Sequence, residues 1–212
     1  MRPMIHPRRA HPARRRAGFT LMEALVVVAI IGISAALAAP ALSDAMANRR
    51  TSEASHALVR VGARARSEAM AYGRAHVLVF SQTSTGSPAT NGSVQLWRGR
   101  SNLCNANAWP TIMAGACSTS ASCLETLDMG SYNHGTNQVR MTLAGATAAW
   151  LCFQPDGEVL IAAGAGERFM PSMGGVTGDG ATFTLQRLVN GADDGSTRQV
   201  VFPFGGTPRI AR

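Results

Sequence analysis

The sequence predicts an α+β protein in which a long amino-terminal α-helix, transmembrane in its first half, packs by its second half on an antiparallel β-sheet domain. Uninterrupted apolar residues dominate 19–39, and apolar residues then recur at three- and four-residue steps. Beyond Gly73, short apolar runs alternate with Gly, Pro, Asn and Ser, which is typical of antiparallel strands. We therefore expect a basic leader at 1–18, a spanning helix at 19–39, its amphipathic continuation at 40–74 and a β-rich domain at 75–212.

The strong positive charge of the chain lies mostly in the leader. The formal net charge is +8 with no lysine, which by itself suggests a nucleic-acid partner. However, the residues after Gly18 carry 14 arginines against 12 carboxylates, so the excess charge there is small. Basic residues ahead of an apolar stretch stay in the cytoplasm and send the following chain outward. The leader arginines are Arg2, Arg8, Arg9, Arg14, Arg15 and Arg16.

The apolar segment 19–39 is long enough, at about 1.5 Å per helical residue, to cross a bilayer once. An ordinary secretory signal peptide is the alternative, because Ala38 and Ala39 are small residues at the end of the apolar region. Pro40 would directly follow such a cut and disfavours it. We expect this proline to kink or loosen the helix instead.

The string from Gly18 to Glu23, after an arginine-rich leader, resembles the class III leader of type IV prepilins and type II secretion pseudopilins. The resemblance covers Gly18 at the cut, Phe19 as the first mature residue, Thr20-Leu21 and Glu23. It implies cleavage by a membrane prepilin peptidase and methylation of the Phe19 amine. It also implies assembly, through an inner-membrane platform, into a filament with other pilin or pseudopilin subunits.

Glu23 is the one carboxylate of the apolar segment. An ionised carboxylate in hydrocarbon costs about 2.5–3.5 kcal/mol even on lenient scales, so a partner is expected. In a packed filament, its carboxylate could pair with the charged Phe19 amine of a neighbouring subunit and set axial register, as the resemblance implies. The alternative is that Glu23 lies one turn inside the membrane and reaches the headgroups.

The helix is predicted to continue to about Arg74, because an apolar stripe recurs at three- and four-residue steps through Leu42, Ala45 and Met46 and then Leu58, Val61, Ala65, Ala69 and Tyr72. The arginines of this segment lie mostly off the stripe and are expected to pair in part with Glu53 and Glu68. This favours a solvated or subunit-facing surface over a nucleic-acid groove. We predict strands near 75–81, 93–98, 138–143, 149–153, 158–162, 182–188, 198–202 and 208–211.

The string Pro155-Asp156-Gly157 predicts a turn between two strands, since proline presets the second turn position and glycine tolerates a left-handed exit. We prefer this turn to an acid/base role for Asp156 and Glu158. The surrounding Phe-x-Pro-Asp-Gly element is similar to that of the GspH pseudopilins and the FimT and FimU minor pilins. The closing strand and Gly205-Gly206 add to this resemblance, whereas residues 99–135 match no pattern that we recognise.

All four cysteines, Cys104, Cys117, Cys123 and Cys152, lie on the side that the topology places outside the cytoplasm. An oxidising compartment favours two disulfides, for which three pairings are possible. We expect Cys104 with Cys117, closing a loop, and Cys123 with Cys152, pinning that region to a strand. A metal site is the weaker alternative, because the sequence has no Cys-x-x-Cys pair and no suitably spaced histidine.

The sequence offers little for catalysis or cofactor binding. His56, His76 and His134 are scattered and accompany no recognisable nucleophile motif. Asp193-Asp194-Gly195 resembles a fragment of a calcium loop without the remaining ligands, and we expect a turn between strands there. We predict no cofactor, no metal and no enzymatic activity.

Arg209 and Arg212 are candidate DNA-binding residues, because FimT-type pilins of competent bacteria carry arginines near the carboxyl terminus. Phosphate contacts of this kind depend strongly on salt. Taken together, the residues predict a minor pilin or pseudopilin, held in the inner membrane by a single span with its carboxyl-terminal domain in the periplasm. The alternatives are a DNA-binding minor pilin for transformation and a major fibre subunit.

Overall fold

The chain forms a long helix and two antiparallel sheets. The computed structural model describes residues 19–82, 91–144, 146–171 and 180–211. Gly18 and Arg212, to which the sequence assigns roles, lie outside the described residues, as does the rest of the leader. The α-helices are α1 (Leu21–Tyr72) and α2 (Trp109–Ile112), with 3-10 helices at Cys104–Ala106, Cys117–Thr119 and Met129–Tyr132. The strands are β1 (His76–Ser81), β2 (Ser93–Arg98), β3 (Cys123–Asp128), β4 (Asn137–Leu143), β5 (Ala148–Phe153), β6 (Val159–Ala162), β7 (Gly180–Val189), β8 (Ala192–Pro203) and β9 (Arg209–Ala211).

The chain divides into two compact units between Ser43 and Asp44. The described part of the first unit is the beginning of α1, and Pro40 lies inside this helix. Each of its described residues is exposed, although most of the side chains are apolar. By length and composition α1 can span a bilayer.

In the second unit, α1 buries one face in a core that it shares with both sheets. Ala54, Leu58, Val61, Ala65 and Ala69 are at most 1% exposed, as the three- and four-residue spacing predicts. Leu42, Ala45, Met46 and Tyr72, which the same pattern included, are exposed, because the first three precede Ala47, the first buried residue of α1, and the helix ends at Tyr72. Gly73 follows with a φ of 63°, the left-handed conformation that commonly terminates helices.

The two sheets contain five and four strands. Their orders are β3-β2-β1-β5-β6 and β4-β7-β8-β9, and each described pairing is antiparallel. Phe183 of β7 joins them, with its ring centroid 5.3 Å from that of Phe80 in β1 and 5.2 Å from that of Phe202 in β8. The predicted fold class, a long amino-terminal helix with antiparallel sheets, is confirmed.

The five-stranded sheet is buried on its second face as well. There, Trp97, Trp109, Trp150 and Phe169 form a second apolar cluster with neighbouring residues. The covering segments belong mainly to the 99–135 region, for which the sequence predicted no structure, and to the chain around Phe169. Strands β5 and β6 are consequently buried along most of their length, which explains their continuous apolar runs.

The eight predicted strands are present, but the beginning of β8 was predicted too late. This strand starts at Ala192, so Asp193-Asp194-Gly195 lies within it and the turn predicted there is wrong. The chain reverses instead at Asn190 and Gly191, whose φ values of 53° and 80° are typical of a two-residue hairpin loop. Gly195, with a φ of 83°, lies at a register shift between β7 and β8.

The predicted disulfide pairing is also wrong. Cys104 pairs with Cys152 and Cys117 with Cys123, with Cα–Cα distances of 6.0 and 5.2 Å. Strands β2 and β1 separate β3, where Cys123 lies, from β5, where Cys152 lies. Three strand spacings amount to about 14 Å, twice the reach of a disulfide. The covering segment brings Cys104 over β5 instead.

Candidate functional site

The segment from Phe19 to Glu23 contains the amino-terminal end of α1, which begins at Leu21. Thr20 precedes the first helical residue, and its Oγ1 accepts a hydrogen bond from the backbone N–H of Glu23 at 3.2 Å. This is the N-cap interaction of a Thr-x-x-Glu capping box. Glu23 thus lies in the first turn, where the helix dipole favours a carboxylate.

The side chains of this segment face solvent. Phe19 is 79% exposed, and Glu23 has no ion-pair partner among the residues that the structure describes. The charge of this carboxylate, which lies next to an exposed apolar surface, is therefore unpaired among the described residues. This geometry is compatible with two partners for Glu23, an amine of another chain and the lipid headgroups.

The apolar side chains beyond Glu23 form a continuous exposed surface. Each of them, left in water, forgoes roughly 1.5–3 kcal/mol of burial free energy. A surface of this extent requires lipid or other apolar helices as its environment. Its large side chains are Leu25, Val26, Val27, Val28, Ile30, Ile31, Ile33 and Leu37.

The acidic residues singled out in the sheets have structural hydrogen bonds. In the Pro-Asp-Gly turn, Asp156 Oδ1 accepts from the Glu158 N–H at 3.0 Å, and Glu158 Oε2 accepts from the Gln154 side chain at 2.7 Å. Asp193 and Asp194 each accept a backbone N–H two residues ahead, at 2.9 Å. These carboxylates therefore hold the local backbone.

His56 lies on α1, His76 on β1 and His134 between the strands β3 and β4. The described ranges contain no cluster of three or more His, Cys, Asp or Glu side chains placed to hold a metal ion. His56 and His134 are exposed. His76 is fully buried, with Nδ1 2.9 Å from the Arg74 carbonyl and Nε2 3.6 Å from a Glu68 carboxylate oxygen. Burial lowers the pKa of His76 from its ordinary value, because the charged ring would lose its hydration.

The arginines of α1 pair partly as the sequence predicts. Arg49 contacts Glu53 at 2.8 Å, and Arg64 contacts Glu68 at 2.7 Å. Arg64 also donates to Glu125 of β3 at 3.0 Å, and its hydrogen bonds to these two carboxylates raise the pKa of Arg64. Glu125, which sequence reasoning missed, thus ties the helix to the edge of the five-stranded sheet.

Of the two candidate DNA-binding arginines, only Arg209 falls within the described residues. It is exposed on β9, at the register position of Val201 in β8. Arg198 of β8, which the sequence analysis passed over, is also exposed. Together with His56 and Ile210, it lines an open groove of about 490 Å³. Neither arginine has an ion-pair partner in the part of the chain that the structure describes.

A comparison with family models matches residues 13–39 to the prokaryotic N-terminal methylation motif. The match ends with the apolar segment and leaves the β domain uncovered. No solved structure matches the chain. The motif supports a type IV pilin-like protein that prepilin peptidase processes, and a structural subunit rather than an enzyme.

Proposed function

We propose that the chain is a minor pilin or pseudopilin that is cleaved after Gly18, methylated on Phe19 and assembled into a type IV pilus or a type II secretion pseudopilus. One observation carries the proposal. The methylation motif coincides with the first part of α1, in which each described apolar side chain up to Leu42 is exposed. A helix of this kind needs either a bilayer or a bundle of like helices, and a filament subunit uses both in turn.

Cleavage would give Phe19 a free, charged amine, and methylation would leave that charge in place. The Thr20 cap holds Glu23 in the first turn, close to the helix terminus. A neighbouring subunit shifted along the filament axis would bring its Phe19 amine to this carboxylate. The pair is favourable in an apolar surrounding only at the correct register, because either charge alone is costly there.

The leader arginines support an orientation with the amino terminus in the cytoplasm and the β domain in the periplasm. Two disulfides fit an oxidising compartment. The Phe153–Gly157 turn and the closing strands β8 and β9 support the GspH, FimT and FimU subclass. The irregular part of the covering region, residues 99–122 ahead of β3, favours a minor subunit over the major fibre subunit.

The assembly role is tested by Glu23→Ala in cells of the source organism. We expect the variant to be cleaved and inserted in the membrane like the wild type, but to be absent from sheared filaments or from overproduced pseudopili. Glu53→Ala, which removes an exposed carboxylate of the same helix in the β domain, is the matched control and should assemble. Assembly of Glu23→Ala at the wild-type level would refute the register role.

DNA binding is the second candidate function, favoured by Arg198 and Arg209, which are exposed and have no ion-pair partner among the described residues. The full chain in detergent should be titrated with duplex DNA at low and moderate salt, beside Arg209→Ala and Arg212→Ala. A receptor requires binding at low salt that weakens in the variants and falls steeply with added salt. Absence of binding at low salt ends this alternative.

A further inference from the structure

The inner face of β7 ends in a buried charge. Ala181, Phe183 and Leu185 alternate into the shared core, and Arg187 is the next residue on the same face, opposite Val139 of β4. Its side chain is only 8% exposed. A buried guanidinium is stable only when its donors are matched by acceptors, so the partners of Arg187 determine what this residue does in the fold.

Two of these partners lie one helical turn apart on α1. Arg187 Nη2 donates to Asp44 Oδ1 at 2.7 Å, and Nη1 donates to Asn48 Oδ1 at 3.3 Å. The third is Asp194, whose Oδ2 lies 2.9 Å from Nε as an ion pair without hydrogen-bond geometry. The rigid fork of the guanidinium thus spans the helix and strand β8, which a lysine ammonium would not match.

The position of these contacts on the helix is informative. Asp44 is the first residue of the second unit, and the first buried residue of α1 is Ala47, between Asp44 and Asn48. Apolar burial alone therefore begins to hold the helix only at Ala47. Asp44 is 68% exposed and is held chiefly by its hydrogen bond to Arg187.

We propose that Arg187, Asp44, Asn48 and Asp194 form a clamp that fixes the amino-terminal end of the helical segment held by the β domain. Any loosening of the helix near Pro40 then stops at Asp44 and does not spread to Thr51 and Ala54. The clamp depends on contacts within the second unit alone, so it holds whatever the first unit assembles with.

Hydrogen exchange of the full chain in detergent micelles tests the clamp. The backbone N–H groups of 48–51 bond to the carbonyls of 44–47, so their exchange reports the opening of this turn. We expect Asp44→Ala to speed their exchange about tenfold, although alanine is the better helix former. Glu53→Ala, which breaks an exposed ion pair on the same helix, is the control and should change the 48–51 amides less than about twofold.

Arg187→Met is the second variant, because it keeps the volume of the side chain and removes its charge. We expect the same amides to exchange faster while those of β1 and β5 keep their wild-type protection. Equal exchange at 48–51 in Asp44→Ala and Glu53→Ala would overturn the clamp. So would an equal loss of protection throughout the domain in Arg187→Met, which would make Arg187 a general core residue. If Arg187→Met does not fold, Asp44→Ala decides the question.

Discussion

Gly62→Ala tests helix propensity against packing where α1 lies close to the four-stranded sheet. A Cβ at this position would lie 2.3 Å from Phe202 Cε1 and 2.9 Å from Pro208 Cγ. The Phe202 ring is 1% exposed and packs edge-on against Phe183, so it has no free space to retreat into. Overpacking of this kind costs about 3 kcal/mol, against a gain of about 1 kcal/mol from propensity. Packing therefore decides the sign.

The expected net loss of about 2 kcal/mol corresponds to a Tm lower by about 4–8 °C for a domain of this size. Circular dichroism of the full chain in detergent measures it. Phe202→Leu provides the matched background, because the smaller side chain removes the contact with Phe202 and leaves the one with Pro208. Gly62→Ala should therefore be less destabilising in that background than in the wild type. A higher Tm for Gly62→Ala alone would refute the close approach of helix and sheet.

Three further predictions concern pH, disulfides and the helix-to-sheet ion pairs. The folded-state pKa of His76 lies below its unfolded value of about 6.5, so the stabilising contribution of the neutral ring is present above that pH and is lost as the pH falls towards the folded pKa. The Tm of the wild type should therefore fall more steeply between pH 7 and 5 than the Tm of His76→Gln. Parallel curves of Tm against pH would contradict this. Replacing both cysteines of a disulfide with alanine should lower the free energy of unfolding by about 4 kcal/mol for Cys104–Cys152 and about 2 kcal/mol for Cys117–Cys123, because the first disulfide closes the longer loop. Denaturant unfolding of the two double variants measures these losses, and the reverse order would be inconsistent with the pairing. Glu125 pairs with Arg60 at 2.8 Å as well as with Arg64, and both arginines are partly exposed, so Glu125→Gln should cost roughly 1 kcal/mol at low salt and less at high salt. A loss that does not vary with salt would show that the pairs are not the cause.

The elements with strong periodic signals were predictable. Leu58, Val61, Ala65 and Ala69 repeat at the helical period and are buried together. The Pro155-Asp156-Gly157 turn follows from local backbone preferences, and Gly157 has the expected positive φ of 90°. In such cases the residues that determine the local structure are near one another in the sequence, so the sequence pattern is sufficient to predict it.

Features that depend on long-range placement were not predictable. Strand β3 has the sequence CLETLD, which lacks a clear alternation, and it forms because β2 offers an edge to pair with. The disulfide pairing depends on which face of β5 the covering segment reaches. Arg187 and Asp44 are 143 residues apart, and nothing local marks an arginine in a strand as the partner of a helix.

The central claim is that Phe19 begins a mature subunit that is built into a filament. Mass spectrometry of the protein extracted from membranes of the source organism tests it most directly. We expect a chain that begins at Phe19 and carries one added methyl group on its amine. A chain that begins at Met1, or one that begins at Pro40 after ordinary signal cleavage, would contradict it.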